Sequence, residues 1–322
     1  MSSEQVASQP GHHDAPRDAA WVFHGGGDDG PRFMRAGEAG FNLHERGVTF
    51  GDGVYEVVRY DGGAAFALDR HVARLRRSLR ETEISGLDVD ALAAASAELL
   101  DRNGWADAKA YWQVTRGRQP RDFVAAADLR PTVTAWLCPA APVDADAPVA
   151  EGAAVFAEDV RWLRCDIKSL LLMPASLART RAARAGAIEA IFVREKADGR
   201  RWVTEGTSTN VMAVKDGVLW THPADRYVLH GVTRAVLLEV ARAGGLPGGA
   251  GVTAVREEPF TPEWLRDADE VLVCSTTRVA AITSIDGAAI GSGAAGPVTR
   301  GLHAAYLNLV RGGAEVPVCP SP

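Results

Sequence analysis

Between Pro139 and Pro148 the chain reads Pro-Ala-Ala-Pro-Val-Asp-Ala-Asp-Ala-Pro, and the apolar periodicity found on either side of it stops. A stretch rich in proline and alanine with no repeating apolar position has no face to bury, so it reads as a linker. The whole chain, at 322 residues, is also long for one ordinary core. Together these features divide it into a poorly ordered leader (1–20), a smaller N-terminal unit (21–138), a linker (139–150), a larger C-terminal unit (151–312) and a flexible tail (313–322). Both units mix period-2 and period-3.6 patterns. The fold class is therefore α/β (α+β) in two domains, and the cleft between them is the usual place for a ligand.

In the first unit, Val54 to Tyr60 and Ala64 to Leu68 flank Asp61-Gly62-Gly63 and read as a hairpin. Val72, Leu75 and Leu79 fall at helical spacing within His71–Glu83. A second helix, Asp90–Arg102, stops at Asn103-Gly104, and Ala110–Thr115 and Thr132–Leu137 read as strands. In the second unit, Ala153–Phe156 reads as a strand, and Pro174 can open a helix running to Gly186. Strands follow at Ile188–Arg194 and Thr209–Lys215, with a turn at Lys215-Asp216-Gly217-Val218. Helix Val232–Ala243 ends in two glycines, Thr261-Pro262 caps a short helix, and Asp269–Cys274 is a buried strand.

Composition narrows the function by exclusion. Hydrophobic residues make up 47% and charged residues 24%, with a net charge of −6. That balance gives no general attraction for nucleic acid or an anionic bilayer, so an anionic ligand needs local groups. Cys138, Cys165, Cys274 and Cys319 lack the spacing of a zinc site or a disulfide framework and read as reduced thiols of a cytoplasmic protein. His12-His13 read as part of a polar leader rather than as metal ligands, and Met1 to Asp14 is not a signal peptide.

Two residues point to chemistry. Lys168 lies in Trp162-Leu163-Arg164-Cys165-Asp166-Ile167-Lys168-Ser169, an apolar, strand-like setting. A partly desolvated lysine becomes a usable amine for Schiff-base chemistry. Glu205, in Thr204-Glu205-Gly206-Thr207-Ser208-Thr209-Asn210, is the kind of fixed carboxylate that a pyridine nitrogen needs. For a phosphate, two places read as helix N-termini that offer free amides, Gly231-Val232-Thr233-Arg234 and Ser275-Thr276-Thr277-Arg278 after a buried strand, and Arg74 offers a positive charge.

Taken in order, Arg74, Lys168, Glu205, Gly231-Val232-Thr233 and Ser275-Thr276 resemble the class IV aminotransferases, and so do Arg46 to Glu56, Arg161 to Leu170 and Thr221 to Arg234. The resemblance runs from about Arg46 to about Asp286 and is nearest to D-amino acid aminotransferases. It implies pyridoxal 5'-phosphate at the domain interface. Lys168 would carry the cofactor and shuttle the proton, and Glu205 would face the ring nitrogen. Arg74, Val232, Thr233 and Thr276 would hold the phosphate, with Ser208, Asn210 and Ser275 around the ring. The resemblance also implies a homodimer whose neighbouring subunit completes the site.

It further implies a substrate pocket at Tyr55 and Val57, with Tyr55 and an Arg-x-His loop clamping the α-carboxylate of a D-amino acid. Here Arg121 takes the arginine position, but Phe123 stands where histidine is expected. Phe123 donates no hydrogen bond, so a looser clamp is expected, with D-alanine and similar D-amino acids as donors, 2-oxoglutarate or pyruvate as acceptor, and some (R)-primary amines tolerated. His44 and Arg59 are possible substitute clamps, though they read first as exposed loop and strand residues. An aminodeoxychorismate lyase, an L-branched-chain aminotransferase and a non-catalytic protein on the same scaffold are the alternatives.

Overall fold

The computed structural model describes residues 19–27 and 30–312. His12, His13, Cys319 and nearly all of the leader and tail lie outside the described residues.

The N-terminal unit is a six-stranded sheet with two helices on one face. Its elements are β1 (Trp21–Gly26), β2 (Pro31–Arg35), α1 (Arg46–Phe50), β3 (Gly53–Asp61), β4 (Ala64–Ala65), α2 (Leu68–Glu81), α3 (Val89–Asn103), β5 (Ala108–Thr115) and β6 (Thr132–Pro139), in the sheet order β2-β1-β6-β5-β3-β4. Period-2 alternation sends Val54 and Val58 of β3 and Trp112 and Val114 of β5 to one face. There they meet Leu75 and Leu79 of α2 and Leu92 and Leu99 of α3. Asp88 caps α3 through the amides of Asp90 and Ala91, and Gly104 ends it in the left-handed conformation that suits glycine.

The C-terminal unit is a nine-stranded sheet. It comprises β7 (Ala150–Glu158), α4 (Met173–Arg184), β8 (Glu189–Glu195), β9 (Arg201–Gly206), β10 (Asn210–Lys215), β11 (Val218–Thr221), α5 (Val232–Ala243), β12 (Ala254–Glu257), α6 (Pro262–Arg266), β13 (Glu270–Ser275), β14 (Arg278–Ile285), β15 (Ala288–Ala289) and α7 (Pro297–Gly312). Its central strands bury both faces, as the near-continuous apolar runs of β10 and β13 require. Met212, Leu237, Leu272 and Leu302 pack with α5 and α7, while Val211, Val273 and Leu265 form a separate cluster that includes α6. Among the described residues no helix is long and apolar enough to cross a membrane.

Two hydrophobic side chains cross between the units. Phe66, which follows β4, is buried in the cluster of α5 and α7 and stacks edge-on against Tyr306. Ile167, next to Lys168, is buried in the cluster of the N-terminal sheet.

Several local expectations need correction. The lysine segment is not a strand: residues 159–172 are irregular apart from an isolated bridge between Ser169 and Val54. Its backbone hydrogen bonds are satisfied piecemeal by β3, α2 and the 225–229 loop. The return strand of the first hairpin is only two residues, because Ala67 takes a left-handed φ of 50° and α2 begins at Leu68. Ser275–Arg278 is a tight turn joining antiparallel β13 and β14, so it offers no helix N-terminus. Arg59 is buried rather than exposed, and donates to Asp61 and to the Ala141 carbonyl. It therefore does not serve as a substitute clamp. Helix α7, whose Val298, Leu302 and Val310 are core residues, was not anticipated, and neither were the strands β1 and β2.

Candidate active site

Lys168 is held by its main chain. Its carbonyl accepts the Tyr55 amide of β3 (2.9 Å), its own amide points to Ser78 Oγ of α2 (3.4 Å), and the Leu170 amide donates to the Gly53 carbonyl (3.0 Å). Two residues before it, Asp166 receives Arg77 and Arg164. The lysine side chain is half-buried, with Nζ 4.2 Å from the centre of the Tyr55 ring. An ammonium or amine over an aromatic face is held without a fixed anion partner.

An open cleft of about 800 Å³ lies between the units, and Lys168 lines it together with Tyr55, Arg74, Glu205, Ser208, Asn210, Val232, Thr233, Ser275 and Thr276. Val57 does not line this cleft: it is half-buried on β3, opposite Tyr111. Arg121 and Phe123 are also absent from the lining, and both are exposed on the loop between β5 and β6. The Arg121 guanidinium sits 5.3 Å from the Phe50 ring and 5.5 Å from the Phe123 ring, and Asp122 accepts the Val124 amide.

Glu205 closes one end of the cleft. Its Oε1 receives Arg161 Nη1 at 2.5 Å, while its Oε2 receives Asn210 Nδ2 at 3.1 Å and the Leu229 amide at 2.9 Å. Burial pushes the Glu205 carboxyl upward from its ordinary range, against the pull of Arg161 and of the Leu229 amide. Burial also opposes the charge on Arg161, but Glu205 and Asp159 outweigh it and hold the guanidinium protonated. Thr207, on the turn after Glu205, is fixed from behind by buried Glu189, which takes its amide and hydroxyl.

Beside Asn210, α5 starts after its N-cap Gly231, which makes no side-chain cap. Thr233 Oγ1 is buried there without a hydrogen-bond partner among the described residues. An uncapped helix start and an orphaned hydroxyl inside one cleft constitute an anion seat. Gly231 is required here, because a Cβ would come within 2.0 Å of Asn210 Oδ1. Arg74 reaches this end with Nη1 on the His230 carbonyl, at 3.1 Å. The donor set therefore fits pyridoxal phosphate: a free amine, a carboxylate for the ring nitrogen and a cationic, amide-rich seat for the phosphate.

The sequence reading passed over what holds Arg74. Glu56 is fully buried and receives Arg74 Nε (2.7 Å), Arg74 Nη2 (2.8 Å) and His71 Nδ1 (2.9 Å). Burial opposes the charge on Glu56, yet Arg74 and His71 overcome it and hold the carboxyl far below its usual range. The signal was available. Position 56 falls on the apolar face between Val54 and Val58, and a carboxylate placed there demands a cation, which Arg74 supplies, with the buried His71 one helical turn before it as a hydrogen-bond partner.

Glu56→Gln leaves a buried guanidinium uncompensated, at a cost of about 3–5 kcal/mol. Because the folded-state pKa of Glu56 is depressed, its contribution is complete above the ordinary glutamate value of 4.5 and is lost as pH falls below that value towards the folded one. Urea unfolding of wild type and variant should thus show a gap that is full at neutral pH and narrows on acidification.

Comparisons with known proteins agree with this geometry. Residues 53–285 match the family model described as Amino-transferase class IV. The D-alanine aminotransferase of Bacillus licheniformis is 41% identical over 281 residues, 87% of this chain and 95% of that protein. The D-alanine aminotransferase of Listeria innocua is 40% identical over 277 residues, 84% of this chain and 91% of that protein. Among solved structures, the branched-chain amino acid aminotransferase of Escherichia coli aligns with a TM-score of 0.78 over 92% of this chain and 96% of its own, at 24% identity, which speaks for the fold alone. The branched-chain amino acid aminotransferase of Thermobaculum terrenum, solved in its PLP form, aligns with a TM-score of 0.77 over 92% of this chain and 96% of its own, also at 24% identity. A pocket that offers an amine, a carboxylate and a phosphate seat is thus set in a fold shared with these proteins, and the chain belongs to the class IV aminotransferases, enzymes that depend on pyridoxal phosphate.

Proposed function

We propose that this enzyme transfers the amino group of D-amino acids, D-alanine foremost, to a 2-oxo acid such as 2-oxoglutarate or pyruvate. The observation that carries this reading is the near-full-length identity of about 40% to proteins named D-alanine aminotransferases, combined with a cleft that keeps the whole cofactor-facing set. The solved structures named branched-chain aminotransferases share the fold at lower identity, and that likeness does not argue for an L-amino acid donor.

Bound pyridoxal phosphate supplies an aldehyde for the amino group and a ring that spreads the electrons left when a Cα proton departs. The chain supplies the rest. Lys168 Nζ, held over Tyr55 and without a carboxylate partner among the described residues, is the group that takes and returns that proton. Glu205 faces the ring nitrogen as the anion that favours its protonation. The start of α5, Thr233, Thr276 and Arg74 hold the phosphate, and Ser208, Asn210 and Ser275 shape the ring pocket.

The substrate end is incomplete within one chain. Arg121 and Phe123 stand outside their own cleft, and exposed apolar side chains occur in the small unit (Leu43, Val48, Val124) and along the lysine segment (Trp162, Leu163, Met173). This arrangement supports a homodimer in which each protomer's 121–124 loop reaches the cleft of the other. With Phe123 rather than a hydrogen-bond donor in that loop, the carboxylate clamp is weakened, which supports tolerance of (R)-primary amines.

Three outcomes test this reading. Borohydride reduction of the holoprotein should label Lys168, and Lys168→Ala should lose at least ~1000-fold in turnover, since it removes both the covalent anchor and the proton carrier. Near-normal turnover by that variant would refute the assignment. In a donor panel with pyruvate or 2-oxoglutarate as acceptor, D-alanine should far exceed L-leucine, with measurable transfer from (R)-1-phenylethylamine. Preference for L-leucine would overturn the donor reading, and pyruvate release from aminodeoxychorismate without an acceptor would favour a lyase. Sedimentation equilibrium should give twice the monomer mass; a monomer that is fully active would remove the shared-site reading.

A further inference from the structure

The hydrogen-bond acceptor positions of Glu205 can be counted. Its Oε2 already receives two donors, Asn210 Nδ2 and the Leu229 amide, whereas its Oε1 receives only Arg161 Nη1. A carboxylate oxygen has room for about two donors. The position left for an N–H in the cleft is therefore on Oε1, the oxygen that Arg161 also holds. A guanidinium so placed competes directly with the cofactor for the same negative charge.

Asp159 limits that competition. It lies at the end of β7, past Glu158, with its side chain fully buried. It takes Arg161 Nε on Oδ1 and Nη2 on Oδ2, both at 2.9 Å, so only Nη1 remains for Glu205. Asp159 is itself fixed by the Thr204 hydroxyl at 2.9 Å and by Arg194 Nη2 at 3.1 Å. The four side chains form an alternating row, Glu205, Arg161, Asp159, Arg194, with no net charge. Arg161 and Arg194 hold the Asp159 carboxyl below its usual range against the effect of burial.

We propose that Asp159 is a positioning residue for the transamination reaction: by gripping two of the N–H positions of Arg161 and balancing its charge, it keeps Glu205 an effective anion for the cofactor ring. This rests on the assignment of Glu205 to the ring nitrogen. Without Asp159, the buried Arg161 charge falls on Glu205 alone, and the pair neutralises itself. The ring nitrogen then meets a carboxylate whose charge is already spent, and the proton at Cα becomes harder to remove.

The test reads the ring nitrogen directly, by its 15N chemical shift in holoprotein loaded with ring-15N pyridoxal phosphate. Wild type should give the protonated signal. Asp159→Asn should move it towards the unprotonated position, lower kcat roughly 10- to 100-fold, as is common when a partner behind a charged ligand is removed, raise the α-deuterium isotope effect and leave KM for D-alanine little changed. Asp159→Glu should keep the protonated signal. The double variant Asp159→Asn/Arg161→Met removes the two opposite charges together and should recover it, an outcome that a purely structural role for Asp159 would not give. A wild-type shift and kcat in Asp159→Asn, alongside a lost protonated signal in Glu205→Gln, would overturn the role of Asp159 alone. If Glu205→Gln also keeps the wild-type signal, the assignment of Glu205 fails and the proposal falls with it. Should Asp159→Asn not fold, loss of the protonated signal in the double variant would itself overturn the proposal.

Discussion

A carboxylate taken out of water must be matched, and this structure is arranged around matching two of them. Glu205 lines the cleft and Glu56 lies behind Arg74, which lines it too; both carboxylates are buried, and each is held by an arginine. The solvation lost by each ion is several kcal/mol and is recovered only through near-ideal geometry. That requirement explains why the arginines are themselves pinned, Arg161 by Asp159 and Arg74 by its bidentate grip on Glu56. It also explains why strands from both units converge here. β3 contributes Glu56, β9 contributes Glu205, and the start of α5 contributes the seat beside Arg74.

The lining of the cleft comes unequally from the two units. Lys168, Glu205, Asn210, Thr233 and Ser275 come from the C-terminal unit, with Arg74 reaching in from α2 and Tyr55 from β3. Arg121 and Phe123 of the 121–124 loop are not part of it. A scaffold built this way can keep its cofactor chemistry constant while the loop varies. Proteins named for D-alanine and for branched-chain substrates can share such a fold, because the difference lies in side chains and loops that the strand order does not touch.

Much of this could be read before any coordinates. Helix α5 was placed from its periodicity and closing glycines, and α2 and α3 to within a turn of their ends, because a strong apolar stripe fixes an element better than its limits. Lys168, Glu205, Arg74 and the Gly231–Thr233 and Ser275–Thr276 runs stood out as polar motifs beside apolar stretches, and the family resemblance added Tyr55, Ser208 and Asn210; all of these line the cleft. The partners behind them did not stand out. Asp159, Arg194 and Glu189 belong to runs that look like ordinary charged strand ends, and nothing local in sequence says that Asp159 lies against an arginine two residues on that also reaches residue 205. The lysine segment misled for a related reason. Its apolar residues are divided between two places, Ile167 in a core and Trp162 and Leu163 at the surface, so they mimic a strand without being one.

The exchange of Phe66 and Ile167 across the cleft ties flexibility to integrity. Ile167 packs in the core of the small sheet, one peptide bond from Lys168, while Phe66 from the small unit plugs the helical layer of the large one. Neither half can swing away as a rigid flap without dragging an apolar side chain into water. Breathing of the entrance therefore falls to side chains and outer loops, and the anchor point of the amine is as steady as the interior it is rooted in. Such rooting fixes the main chain at Lys168 to the packed interior of the small sheet, whatever its side chain binds.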